Sequence, residues 1–191
     1  MVLRREGAVR GELWAAETFF RGREVVFCGR LLLAGCRMAM VDQVLNWRRE
    51  FVGRTMQDIP KAASEEIRCQ DILLEDPRCP RELGALRLRA RAHTYLEFAY
   101  IAFRQGDAVT GRRLLRDAVE ARPELVSAGA GGLLRFLLLR STGSVPEDHE
   151  ATLRLALAAA ASEWPGALGG WERLIGEGYL YRGGRAAVWG E

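Results

Sequence analysis

A mainly α-helical fold of antiparallel hairpins is the architecture this sequence predicts, on three observations. Apolar residues recur at helical spacing over most of the chain after Asp58. Capping and breaking residues stand where those stripes start and stop. Strand-like alternation is confined to a short stretch near the N-terminus.

The clearest pattern lies between Arg91 and Pro123. Ala92, Tyr95, Leu96, Ala99, Ala102 and Phe103 form one apolar stripe on a helix. Gln105-Gly106-Asp107 interrupts it. Glycine takes the left-handed geometry that closes a helix, and Asp107 is suited to cap the next one. A second stripe follows at Ala108, Gly111, Leu115, Ala118 and Val119, and Pro123 ends it. The expected unit is two antiparallel helices with small residues where they touch.

The remaining elements are read in chain order. Met1–Arg10 is polar and without periodicity, as expected of a frayed start. Gly11–Phe20 fits a short helix closed by Gly22. Glu24–Ala34 is ambiguous between helix and strand, and Leu31-Leu32-Leu33 before Gly35 favours helix. Arg37–Val41 alternates as a strand does, and Val44–Trp47 continues it after an Asp42-Gln43 turn. Two such strands are marginal without a larger sheet to join. Arg48–Thr55 reads as a charged loop.

Asp58-Ile59-Pro60 signals a helix start. Ile59, Ala63, Ile67, Gln70 and Leu74 share one face of that helix, and Asp76-Pro77 stops it. Pro80 is expected to open one long helix running through Arg104. Leu125–Arg140 is a further helix, weakened at its start by the glycines at 129, 131 and 132, so that a late start near Gly131 or a kink is expected. Ser144-Val145-Pro146-Glu147 is a capping box ahead of a stripe at Leu153, Ala156, Leu157 and Ala160. A last helix spans Ala167 to about Arg182. The expected domains are a small α/β remnant over 1–56 and an all-helical domain over 57–191.

Composition excludes several classes of function. The chain has 191 residues and a formal net charge of +3, too small to argue for nucleic acid when its basic residues are spread out. Lys61 is the only lysine. The four cysteines, Cys28, Cys36, Cys69 and Cys79, lack the close spacing of a zinc or redox motif. With no secretory signal pattern, reduced thiols in a cytoplasmic protein are expected. The apolar runs at Val25–Cys28 and Leu31–Gly35 fall far short of the roughly 20 residues a membrane span needs.

No constellation specifies a reaction by itself. His93 and His149 sit on different helices without a cysteine or acid at ligand spacing. The glycines of Ala128–Gly132 lack the lysine and preceding strand of a phosphate loop. No serine stands in a nucleophile elbow. Arg104, Arg112, Arg113 and Arg116 make a basic side on the central hairpin, balanced by Asp107, Asp117 and Glu120, so a solvated face is expected there. Docking of an acidic partner or an anionic membrane surface is the lesser reading of that side.

The stretch 91–123 resembles one tetratricopeptide repeat, with Tyr95, Ala99, Leu115, Ala118 and Pro123 at its aromatic, small, bulky, small and proline positions. Gly111 stands where alanine is usual, and no second copy is found. Since such solenoids need about three repeats to bury their faces, a single hairpin in a larger helical domain is expected.

Glu24–Arg48 resembles the closing segment of the catalytic domain of family-2 glycosyltransferases, inverting enzymes that use nucleotide-sugars. Arg30, Leu31 and Gly35 match its helix, Met38–Val41 its strand, and Asp42, Leu45, Trp47 and Arg48 its end. Asp76-Pro77-Arg78-Cys79-Pro80 matches a "DPRLP" phrase in the helical extension that follows in bacterial members. The resemblance implies a catalytic base at Glu24, preceded by Arg23 where the family has an acid, and acceptor-side roles for Trp47 and Arg48. A complete member would also hold a divalent metal and a nucleotide-sugar. No cofactor or metal ligand is expected of this chain, because the family's nucleotide-binding sheet and metal aspartates match nothing in it. The expected function is the C-terminal portion of a glycosyltransferase-like protein, a truncated domain that is not catalytic alone. The alternative is a helical protein–protein interaction module with no enzymatic activity. The expected associations are a protein partner or a homodimer, with no nucleic acid and no membrane span. Peripheral membrane association stays open.

Overall fold

The computed structural model describes residues 23–37, 39, 58–127 and 147–165. Among them are six α-helices, one 3-10 turn and no strand. The chain divides into two compact units, Met1–Ala90 and Arg91–Glu191.

The first unit contains α1, Arg23–Leu33. Its ambiguity in sequence resolves to helix. Gly35 closes it with φ +78°. The amide of Gly35 donates to Leu32 O at 2.9 Å and that of Cys36 to Leu31 O at 3.0 Å. These two bonds are the paired closure of a Schellman motif. Of the strand expected at Arg37–Val41, Arg37 and Ala39 are in neither helix nor strand, and its other residues lie outside the described set. The expected elements at 11–20 and 44–55 lie outside it as well.

Helix α2, Ile59–Leu74, starts as expected: Asp58 Oδ1 accepts from the Lys61 amide at 2.9 Å, with Pro60 in the first turn. Ile59, Ala63 and Ile67 are buried, whereas Gln70 and Leu74 are only half-buried. Ala62 and Cys69 are buried instead. The difference has a cause in the neighbour. α1 packs along α2, so Val26 meets Cys69 and Ile72 in one apolar cluster. That contact draws the buried surface round to a second face, at 62 and 69. Val26 lies before the boundary expected at 56, and Cys69 and Ile72 after it.

The long helix expected from Pro80 to Arg104 is broken. α3 spans only Arg81–Gly84, and α4 runs Arg87–Arg104. Gly84 falls where a helix interior would be penalised by about 1 kcal/mol relative to alanine. Leu86 N bonds Leu83 O at 3.0 Å, a tight three-residue closure, before α4 resumes with Ala90 N on Leu86 O at 2.8 Å.

In the second unit, α4 buries Ala92, Leu96, Ala99, Ala102 and Phe103 as expected. It also buries Thr94, Phe98 and Tyr100, while Tyr95 is half-buried. A helix covered on more than one face loses the single stripe that sequence periodicity detects. Gly106 has φ +79°, and the amides of Gly106 and Asp107 bond Phe103 O and Ala102 O at 3.0 and 2.9 Å, a second Schellman closure. Asp107 Oδ1 then caps α5, Ala108–Ala121, by accepting from Thr110 N at 3.0 Å. α5 buries Gly111, Leu114, Leu115 and Ala118. A 3-10 turn, Pro123–Val126, follows and buries Leu125; the rest of the helix expected over 125–140 lies outside the described residues.

α6, Glu147–Glu163, packs on α5. Its buried face is Thr152, Ala156, Ala159 and Ala160, while Leu153 and Leu157 are only half-buried. Ala156 and Ala160 of the expected stripe are thus buried as predicted, and the face against α5 is made of small residues in place of the two leucines. The proposed capping residues 144–146 and the last expected helix lie outside the described residues.

Candidate functional site

Glu24, the expected base, lies in the first turn of α1 and is exposed. An acid there suits the positive end of the helix dipole. Trp47 and Arg48 lie outside the described residues. Among the described residues no group of three His, Cys, Asp or Glu side chains could hold a metal ion. His93 is exposed, and none of the four cysteines is in a disulfide, with Cys69 buried.

The motif residues that the structure does bring together form a charged turn after α2. Asp76 Oδ1 accepts from the Arg78 backbone amide and from Arg78 Nε, each at 2.9 Å. Asp76 Oδ2 accepts from Arg78 Nη2 at 2.7 Å. The Cys79 amide closes the turn on Asp76 O at 2.8 Å. The Arg78 side chain, through these bonds, holds the Asp76 carboxyl at about 2, and the positive charge of Arg30 on α1 acts in the same direction. Arg78 of the turn is the main influence on this carboxylate, and Arg30 a lesser one. Beside it, Arg87 at the start of α4 bridges back to α2, 2.9 Å from Glu75 Oε1 and 3.5 Å from Asp71 Oδ1. Nothing in the sequence pairs Arg87 with those acids, twelve or more positions away.

This cluster is an electrostatic staple. A general base works best with a pKa near the operating pH, and Asp76 is moved the other way. Asp117 on α5 is the described carboxyl that burial pushes up, with Arg113 opposing and Glu120 assisting. It stands apart from any metal-ligand grouping among the described residues.

The basic side of the hairpin is matched by acids. Arg116 forms a two-pronged pair with Glu163 of α6, Nε to Oε2 at 2.9 Å and Nη2 to Oε1. These bonds raise the arginine and lower the carboxyl. Arg113 acts on Asp107 and Asp117, and Arg112 on Glu163. No family model, no curated protein sequence and no solved structure matches the chain.

Proposed function

We propose that the chain is a helical, non-catalytic portion of a glycosyltransferase-like protein, one that supplies packing surface and not a sugar-transfer site. The observation that carries this reading is the role of the resembling residues. Arg30 and Leu31 sit on a helix that Gly35 closes, with Leu31 buried. The Asp76–Pro80 phrase is a locked turn whose carboxylate feels Arg30. Both phrases hold helices in place. Glu24 stands exposed, outside any metal-ligand grouping of the described residues.

Calorimetric titration with UDP-glucose and GDP-mannose, each with manganese, tests the reading. No saturable heat is expected from this chain. Manganese-dependent binding that Glu24→Gln removes would restore a working site and defeat it.

A second reading, a helical interaction module, is favoured by Val109, which is 82% exposed at the start of α5. Light scattering over a range of concentrations checks self-association there. The module reading expects a mass that rises with concentration and that Val109→Asp holds at the monomer value. A constant monomer mass for both proteins removes the homodimer.

A further inference from the structure

We propose that the α3–α4 turn is a docking knob for an anionic lipid surface. Leu83, Leu86 and Leu88 are 43%, 45% and 58% exposed within six residues of chain. Apolar exposure this concentrated marks an interaction site more often than scattered single residues do. Arg81 and Arg89, both exposed, bracket the three leucines, and Glu82 is the one acid between them.

The break at Gly84 decides which occupant fits. Leu83 and Leu86 are joined by the i to i+3 closure, so they lie on one side of the turn. Leu88 follows two positions later in α4, where helical geometry carries it to another side. The leucines therefore surround a bend and do not form one stripe. A rigid helical groove reads a single stripe at i, i+3, i+4 and i+7. A fluid acyl boundary takes in apolar side chains from several sides, with cationic side chains snorkelling to the headgroups at either end. Charge complementarity selects the lipid: arginines at both ends match phosphatidylglycerol or phosphatidylserine and gain little from a neutral surface. Arg87, inside the turn, is held by Glu75 and Asp71, so it fixes the knob's base.

Vesicle co-sedimentation of the full chain tests this. Vesicles of phosphatidylcholine alone are compared with vesicles containing one-quarter phosphatidylglycerol, at low and at high salt. The chain is expected to pellet with the anionic vesicles, and salt is expected to release it. Leu83→Gln/Leu86→Gln/Leu88→Gln should weaken partitioning by about tenfold or more, since each leucine carries apolar area into the boundary. Leu155→Gln, at an exposed leucine of α6, should leave partitioning unchanged. Arg81→Gln/Arg89→Gln, which leaves the leucines in place, should abolish the preference for anionic vesicles; it keeps the test decisive if the leucine variant does not fold. Equal pelleting of the wild type and both variants overturns the proposal. So does no pelleting of the wild type with any vesicle. Self-association of the wild type that the leucine variant abolishes would assign the knob to a second copy of the chain, and overturns it too.

Discussion

Two glycines, one in each unit, stand where another helix's side chain presses, and they differ in what presses. A Cβ added at Gly29 of α1 would come within 2.5 Å of both Cδ atoms of Leu73. One added at Gly111 of α5 would meet Phe103 Cε1 and Cζ at 2.8 Å. By distance alone Gly29 is the tighter site. Leu73, however, is half-buried, and the atoms nearest the glycine are the free ends of its side chain. Phe103 is 2% exposed, and its ring moves only as a rigid plane inside a close-packed interior. Tolerance at a close approach therefore follows from the neighbour's freedom to move. The second unit is the one built on an immovable contact.

The largest effect that would break this contrast is at the ring itself. Phe103→Ala is expected to cost about 3–5 kcal/mol, as aromatic truncations in closed cores do. Urea unfolding followed by helical circular dichroism measures it. A loss under about 1 kcal/mol would mean that the ring is not the keystone of the hairpin.

Gly111→Ala comes next. Overpacking of this kind costs about 1–3 kcal/mol, set against a helix-propensity gain of about 1 kcal/mol. A net loss of about 1–2 kcal/mol is expected. Combining it with Phe103→Leu sharpens the point. If the clash is with the ring, the two changes are non-additive, and the double variant is less destabilised than the sum.

The closing glycines supply an internal standard. Gly35 and Gly106 have nearly the same φ, +78° and +79°, and neither has an atom within 4 Å of an added Cβ. Alanine at either should cost about 1–2 kcal/mol from left-handed backbone strain alone. Equal losses at the two positions would show that the units differ in packing and not in turn chemistry. Unequal losses would return the difference to the turns.

These turns were also the most legible part of the sequence. Gly106, Asp107, Asp58 and Gly35 each carry a local instruction whose partner lies a few residues away, and each does what its type predicts. Faces covered by a second helix were less legible. Ala62 and Cys69 are buried because α1 lies on them, and α6 turns Ala159 inward in place of Leu153 and Leu157 because α5 demands small residues. Periodicity within one segment contains no trace of that neighbour. The break at Gly84 interrupts a stretch that reads as one continuous helix from Pro80 to Arg104. In the charged turn, the Asp76–Pro80 phrase stood out in sequence, whereas the reach of Arg87 to Glu75 and of Arg116 to Glu163 did not, since neither pair shares a helix. Glu24 was pointed to by resemblance, and it is exposed in the first turn of α1.

A smaller effect probes the first unit's polar support without touching the second unit's ring. The folded Asp76 carboxyl titrates at about 2, below its ordinary 3.8, because Arg78 bonds its charged form. Its stabilising contribution is therefore present in full above about pH 4 and is lost as pH falls toward 2. Partly exposed ion pairs of this kind contribute up to about 1 kcal/mol. Arg78→Ala should erase that segment of the acid profile while leaving the profile above pH 4 parallel to the wild type's. Amide exchange at Cys79, whose N–H closes the turn, should quicken in the variant. An acid profile indifferent to Arg78 would leave the turn held by its backbone alone.

The smallest expected effect is the most discriminating. Gly29→Ala should change stability by less than about 0.5 kcal/mol in either direction. The added methyl displaces the Leu73 methyl groups, which have room at the half-buried edge of α2. The helix meanwhile gains about 1 kcal/mol of propensity when glycine leaves its interior. The two terms oppose and nearly cancel. Leu73→Ala in the same chain removes the clash and leaves only the propensity gain, so Gly29→Ala should be stabilising in that background. If Gly29→Ala instead costs as much as Gly111→Ala, and Leu73→Ala does not relieve it, then α1 is seated on α2 as rigidly as α5 is on Phe103, and the mobility of the neighbour does not separate the two units.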